Sequence, residues 1–493
     1  MYEGLPIGRR SALHQRIGAR TEAAYGAQAS EIAAELAVHF ERGRDYKRAV
    51  QYFERAAQNA IRRNAYREAT NHLTTALELL HTLPDTRERA QQELLLHITL
   101  GVPLRAIRGI SSPEVKATYT RARELCRQGG ETRQLFPVLA GLWAFHHVRG
   151  EIRTARELGE QLLGLAHREH DPTLLVEAYW IMLSTLFPLG EFGEAQAHLT
   201  RSLALYDAQR YDSPVFLYGG IELEVFSLAY VYAAFVLWHL GYPDQALQQS
   251  EAALTLAQEL LSPFSLAGVQ FFAAILHQLR REISLIQEWA GAAILLAREH
   301  GFPNWVAGGT VLQGWAWVEQ GQREEGISQI RQGLTIHQTL GAGLLQTYLF
   351  ALLAEASGKA RQAEEGLAAL TEALTLMDKS GERFYEAELY RLYGELSLRM
   401  GERETRQTGK EEKISPSPLH PLAHSSPEEC FLKAIEVAQH QQAKSLELRA
   451  AMSLARLWQN QGKRKEAHKL LAEIYGWFTE GAFGYSYTAR SRW

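Results

Sequence analysis

An all-α fold, a right-handed α-solenoid of about ten to eleven helix pairs, is what this chain of 493 residues predicts. Three observations carry it. The stretch from Leu139 to Tyr206 consists of two halves that can be laid on each other, Gly150-Glu151-Ile152 on Gly190-Glu191-Phe192 and Ala155 on Ala195, at an offset of 40 residues. Within each half, apolar residues recur at helical spacing on either side of a Gly-Glu turn, where glycine suits the left-handed backbone that ends a helix. The same ruler fits elsewhere: with Val115, Ala155, Ala195, Ala246, Ile286, Gly326, Gly366, Pro427 and Ala467 taken as equivalent, six of the eight intervals are 40, and the others are 51 and 61. The recurring small residue marks the place where the two helices of a pair must come close.

The elements follow in order. Residues 1–26 read as a short basic helix with Leu13 and Ile17 on its apolar face. Residues 30–60 hold a clear unit, with Leu36 and Phe40 on a first helix, a turn at Gly43 and Tyr46, and Ala49, Phe53 and Ala56 on the packing face of a second. Tyr66, Ala69, Leu73, Ala76 and Leu77 repeat it. Leu83-Pro84-Asp85-Thr86 stops one helix and starts another, with Asp85 or Thr86 as N-cap, and Ser111-Ser112-Pro113-Glu114 opens the next. From Leu135 to Met377 the array is continuous apart from a loop at Asp207 to Gly220. The expected domains are therefore a linker helix over 1–26, a repeat array over 27–401, a flexible insertion over 402–427, terminal repeats over 428–481 and a disordered tail over 482–493. The insertion joins a mixed charge run to Pro416, Pro418, Pro421 and Pro427, a composition that cannot fill a core.

Hydrophobic residues make up 46% of the chain, enough for a continuous core, and the net charge of −4 supplies no general attraction to nucleic acid or anionic lipid. Cys126 and Cys430, the only cysteines, lie far apart without C-x-x-C spacing, so neither a disulfide framework nor a zinc site is expected, and a reducing cytoplasm is. Val225 to Tyr242 is apolar and uncharged, but it runs into a Pro-Asp-Gln-Ala helix start as its sister units do, and reads as a buried first helix, with no membrane as partner.

Several strings resemble a known group of proteins. LPIGRRSALHQRIGARTEAAYG near the start, EIAAELAVHFERGRDYKRAVQYFERAAQNA, LPDTRERAQQELLLHITLG and, near the end, LRAAMSLARLWQNQGKRKEAHKLLAEIYGWFTEG look like the C-terminal half of large bacterial signalling proteins. Those join a predicted AAA-type ATPase, often behind a class III adenylate cyclase or a DNA-binding domain, to a tetratricopeptide array, and the resemblance covers essentially all of residues 2–481. It implies that Arg9, Arg10, Leu13 and His14 belong to a linker from the ATPase module to the array. That module is missing here: no G-x-x-x-x-G-K-[ST] occurs, and Ser357-Gly358-Lys359-Ala360 lacks the leading glycine and the magnesium-binding hydroxyl. The ending AFGYSYTARSRW departs from the further acidic helix the group carries, which points to a truncated or frame-shifted terminus.

Catalytic and metal signatures are weak in this chain. His146 and His147 adjoin on a helix and point about 100° apart, poor for joint ligation. His167, His170 and Asp171 gather at a helix end, where the helix dipole favours the histidines. With no H-E-x-x-H, G-x-S-x-G or Cys-His pairing, the expectation is a non-catalytic chain without cofactors. Stacked helix pairs instead offer a concave inner face to a protein partner. The repeat places His147, Trp180, Phe187, Phe235, Trp238, Phe271 and Trp315 on that face, a candidate partner-binding groove. The expected role is a protein-interaction scaffold or sensor, partnered by another protein or by the missing ATPase or cyclase module and not by nucleic acid directly. The alternatives are one part of a split ATP-dependent signalling enzyme, or a solenoid that senses a small ligand.

Overall fold

The computed structural model describes residues 6–129, 134–205, 222–259, 262–408 and 425–480, which form 22 α-helices, one short 3-10 turn and no strand among the described residues. The fold is an all-α solenoid of antiparallel helix pairs. The described residues fall into two compact units that divide between Phe145 and His146. The loop expected over 207–220 and the tail over 482–493 lie outside the described residues, as does the insertion beyond Thr408 up to 424.

The first unit runs through α1 (Ile7–Tyr25), α2 (Ala33–Arg42), α3 (Tyr46–Arg62), α4 (Tyr66–His81), α5 (Arg87–Arg108), α6 (Pro113–Gly129) and most of α7 (Leu135–Val148). Thr86 is the N-cap of α5, its hydroxyl accepting from the Arg89 N–H at 3.2 Å, and Pro113 is the first residue of α6. The face that α1 buries differs from the expected one. His14 and Gly18 turn inward, because a Cβ at Gly18 would stand 3.1 Å from the Phe40 ring, and Leu13 is left exposed. Between α5 and α7 the Tyr119 ring is clasped by two glycines: a Cβ at Gly101 or at Gly141 would lie 2.3 Å from it. Glu93, buried on α5, receives the Arg121 guanidinium at 2.8 Å.

The second unit continues in pairs. α8 (Ile152–Glu169) is followed by α9 (Pro172–Leu189) and α10 (Phe192–Leu205), then by α11 (Glu222–Leu240) and α12 (Pro243–Glu259). α13 (Pro263–Arg280), α14 (Ile283–His300), α15 (Pro303–Glu319) and α16 (Arg323–Thr339) come next. α17 (Gln346–Lys359), α18 (Ala363–Ser380), α19 (Glu386–Thr408), α20 (Pro427–His440), α21 (Lys444–Asn460) and α22 (Arg464–Tyr475) complete it. The odd-numbered helices form an inner layer buried nearly all round: on α13 every residue from Phe271 to Leu279 is buried. The even-numbered ones bury one stripe, as α14 does with Ile286, Ala290, Ala293, Ile294 and Ala297. One helix among the described residues, α9, is long and apolar enough to cross a membrane, and 67% of it is buried in this layer. Connections are short, with only His170 and Asp171 between α8 and α9.

The repeat register holds at atomic level. Ala155, Ala195, Ala246, Ile286, Gly326, Gly366 and Ala467 are each the fourth residue of their helix. A Cβ at Gly326 would stand 2.6 Å from the Gly314 carbonyl on the partner helix, so the small residue is a requirement of close approach. Val115, the third residue of α6, falls one place short, and Pro427 breaks the series. Lacking an N–H, it takes the first position of α20 behind a capping box made by Ser426 and Glu429, and Cys430 holds the fourth, fully buried. Gly150, Gly190, Gly241, Gly321 and Gly462 all have positive φ at the pair turns, and Arg281 (φ 63°) and Arg361 (φ 65°) take the same place without glycine.

Successive inner helices are tied to much later repeats through carbonyls of their last turns. The Val148 carbonyl at the end of α7 accepts from the N–H groups of Gly343 and Leu344 at 2.9 and 3.0 Å. One repeat on, the Pro188 carbonyl of α9 accepts from those of Arg383 and Phe384 at 2.6 and 3.1 Å. The Trp238 carbonyl of α11 accepts from the Ser445 hydroxyl at 2.6 Å, and the Leu279 carbonyl of α13 from the Arg449 guanidinium. Near the C-terminus the Glu480 carboxylate accepts from the N–H groups of Asp244 and Gln245, both at 3.3 Å, at the start of α12.

A Cβ at Gly343 would stand 2.1 Å from the Arg149 carbonyl oxygen. Gly343→Ala is expected to lower unfolding free energy by about 1–3 kcal/mol, read from urea denaturation. Arg361→Gly should act the other way. Relief of a left-handed non-glycine backbone on an exposed residue is expected to stabilise by up to about 1 kcal/mol in the same measurement, less the entropy that glycine adds to the unfolded chain.

Candidate functional site

The seven residues proposed from sequence lie, as the register placed them, on inner-layer helices of the second unit. His147 is on α7, Trp180 and Phe187 on α9, Phe235 and Trp238 on α11, Phe271 on α13 and Trp315 on α15. All are buried, none more than 5% exposed. The open wall expected of them is instead a packed interior, because inner helices from distant repeats press against one another. Phe187 meets Phe384, from the segment leading into α19, with ring centroids 4.8 Å apart, and Phe235 at 5.3 Å. The His147 ring lies 2.9 Å from the Ser184 carbonyl, and burial pushes its pKa down to about 4. Phe271 packs on Trp305 at 5.7 Å and Trp180 on Tyr230 at 6.3 Å. Neighbouring His146 turns to Glu151 at 2.5 Å, so the two adjoining histidines have separate partners. Asp171 caps α9 through the Thr173 N–H, and His170 is the left-handed residue that closes α8.

Two of the aromatics border a different feature. The Arg449 guanidinium lies 5.0 Å from the Trp238 ring centroid and that of Arg281 lies 5.2 Å from Trp315, a cation over each face. The Trp315 indole N–H donates to Glu355 at 3.1 Å, and the Lys359 ammonium stands 5.8 Å from the same ring.

These groups begin a cleft of about 460 Å³ formed by the turn after α13 and by α17, α19 and α21. Seven cationic side chains line it: Arg280, Arg281, Lys359, Arg391, Arg399, Arg449 and Arg456. Glu282, Glu355 and Glu395 are the lining carboxylates, and Leu392, Leu396 and Met452 form an apolar strip. Its size falls within the range of small-ligand sites. The residues arrive by helical spacing, Arg391, Glu395 and Arg399 along one face of α19 and Arg449, Ser453 and Arg456 along one face of α21.

Behind the lining, Glu388 is the anchor. It is 1% exposed and receives both Arg391 nitrogens, at 2.9 and 2.8 Å, as well as Arg449 at 3.3 Å and Arg281 at 3.7 Å. Burial alone would push this carboxyl up, but the arginines, Arg391 foremost, hold its pKa down to about 2. Glu355 is lowered in the same way: burial opposes, and Arg281 and Lys359 overcome it. Toward the mouth the pairing thins. Arg456 and Arg399 are exposed; Arg456 is 3.6 Å from Glu395, and Arg399 has no ion pair among the described residues. A Cβ at Gly358 would stand 2.9 Å from Arg399 Nη1, which places that guanidinium against the end of α17.

Sequence reasoning missed this cleft. Charges spaced at i and i+4 on a helix read as a solvated face, and the signal against that reading is that Arg391 and Arg449 are flanked in sequence by apolar residues, Tyr390 and Leu392 about the one and Leu448 and Ala450 about the other. Arg281 carried a further signal, since a repeat whose turn residue is glycine elsewhere has arginine there.

No family model matches the chain. An uncharacterized protein of Rhizobium meliloti (strain 1021) is 23% identical over 344 residues, which is 69% of this chain and 33% of the relative. The chain thus spans about a third of the relative it matches. Among solved structures, a Rap protein complexed with competence and sporulation factor matches with a TM-score of 0.52 at 10% identity, over 80% of this chain and 99% of that one. A signal transduction ATPase with a tetratricopeptide repeat sensor from Pyrococcus horikoshii gives 0.36 at 12% identity, over 91% and 72%. A human IFIT1 dimer gives 0.35 at 13% identity, over 78% and 89%. The match to the Rap protein is a likeness of fold, that of tetratricopeptide-like helical repeats.

Because the Glu388 carboxyl titrates near 2 in the fold and near 4.5 when unfolded, its pairing stabilises fully above about pH 4.5 and is lost as pH falls from there through 2. Unfolding free energy measured against pH is expected to fall across that window. Glu388→Gln should be less stable at neutral pH by about 3–5 kcal/mol, since three arginines lose their shared partner, and should lose less on acidification.

Proposed function

We propose that the chain is a non-catalytic binding module, a scaffold or sensor of tetratricopeptide type, that takes its ligand or partner at the charged cleft of its inner layer. The observation that carries this reading is the composition of that layer. Its aromatic residues are spent on internal packing, and the surface it leaves open is lined by seven cations around an apolar strip. The charges are paired with one another for rigidity and are not arranged as nucleophile, base and orienting group, which favours binding over turnover.

The module serves a larger signalling system, in which an ATPase or adenylate cyclase supplies the chemistry. The tetratricopeptide strings, which resemble those of such signalling proteins, support this. A partner that engaged Trp238 and Trp315 directly would have to part the inner layer first, so the cleft is the better entry.

Two measurements test the reading. The isolated chain given ATP and magnesium is expected to release no phosphate; hydrolysis that tracks the protein through purification would overturn the non-catalytic assignment. Trp238→Ala with Trp315→Ala is expected to reduce unfolding free energy by about 3–5 kcal/mol per ring, as buried aromatics do. If that variant keeps wild-type stability and helical circular dichroism, the aromatics are free and the groove, not the cleft, is the partner surface.

A further inference from the structure

Resting on the reading of the chain as a binding module, we infer that the cleft recognises a carboxylate joined to an apolar body, either a free medium-chain acid or the C-terminal residue of a peptide. The arginines of the cleft already show which anion they fit. Arg391 grips Glu388 with two parallel N–H···O bonds of 2.9 and 2.8 Å, the planar fork that matches a carboxylate. Deeper guanidiniums are consumed in this way, and those at the mouth are not. Arg399 and Arg456 stand exposed on α19 and α21, one without an ion pair among the described residues and the other held only by a 3.6 Å contact to Glu395.

The charge balance selects against heavier anions. Seven cations face three lining carboxylates, and Glu388 and Glu319 behind them engage Arg391 and Lys359, so the excess is small. A polyphosphate would crowd its charges against Glu282, Glu355 and Glu395, whereas a single carboxylate is matched by the two mouth arginines. The strip of Leu392, Leu396 and Met452 supplies what a bare anion would not use, an apolar surface inside a cleft of about 460 Å³. Carboxylate at the mouth and hydrocarbon along the strip is the orientation that satisfies both.

The test uses the full chain and four probes: octanoate, its uncharged isostere octanamide, acetyl-tetraalanyl-leucine with a free C-terminus, and the same peptide as its C-terminal amide. Calorimetric titration and thermal shift are read together. At least one of the two acids is expected to bind and raise the melting temperature, its amide is expected not to, and the affinity should fall as salt is raised. Binding by octanoate alone assigns a small acid, and binding by the peptide alone assigns a chain terminus. Arg399→Ala with Arg456→Ala should weaken binding by about tenfold or more while leaving circular dichroism unchanged, since both side chains are exposed. Should neither acid bind, or the amides bind as well as the acids, or the double variant bind as the wild type does, the inference is overturned. Phosphate release from ATP bears on the non-catalytic reading and leaves these outcomes separate.

Discussion

Four carbonyl groups in the last turns of inner helices tie early repeats of the second unit to late ones. An α-helix cannot satisfy the carbonyls of its last turn from within, and a solenoid that buries those ends must find donors elsewhere. Here Val148, Pro188, Trp238 and Leu279 are met by backbone or side-chain donors from segments far along the chain, 207 residues for Ser445 and 170 for Arg449. The first two contacts differ by one repeat at both ends, so the same period that builds each helix pair also brings early repeats onto late ones. The close approach at Gly150 and Gly343 follows from that arrangement, and a Cβ at Gly343 would run into the Arg149 carbonyl.

Closure of the inner layer sets the chemistry of everything inside it. Phe187, Phe235 and Phe384 meet because the helices that bear them are drawn together, and the water that a groove would have held is excluded. Where the layer carries charge instead of hydrocarbon, the low dielectric makes pairing compulsory: Glu388 is stable as an anion only with Arg281, Arg391 and Arg449 around it. The cleft is the place where this pairing runs out toward solvent. Rigid pairs behind, with the exposed Arg399 and the loosely held Arg456 in front, give a surface of fixed geometry.

Much of the architecture was legible in the residues. The recurring glycine turn, the small fourth residue of most second helices and the apolar run of each first helix act over a few residues, through backbone conformation and contacts between adjacent helices. Such signals survive in one sequence without knowledge of any other part of the fold. Pro427 misled for the same local reason, because a proline at a helix start imitates the register of a small residue while Cys430 occupies it. Arg281 and Arg361 take the left-handed backbone that glycine usually marks, and there the 40-residue spacing of Ile286 and Gly366 located the turns without it.

The helix pairs, their period and the identity of the inner layer were thus determined by the sequence itself. Which inner faces meet was decided only in three dimensions. The contact of Phe187 with Phe384, or of Arg449 with Glu388 and Leu279, depends on how small rotations accumulate over several repeats, and no single repeat encodes that sum. The same aromatic stripe would line an open groove in a flatter solenoid and is a core in this one. Charged residues at helical spacing likewise belong to water until an opposing helix removes it, and for Arg391, Glu388 and Arg449 it does.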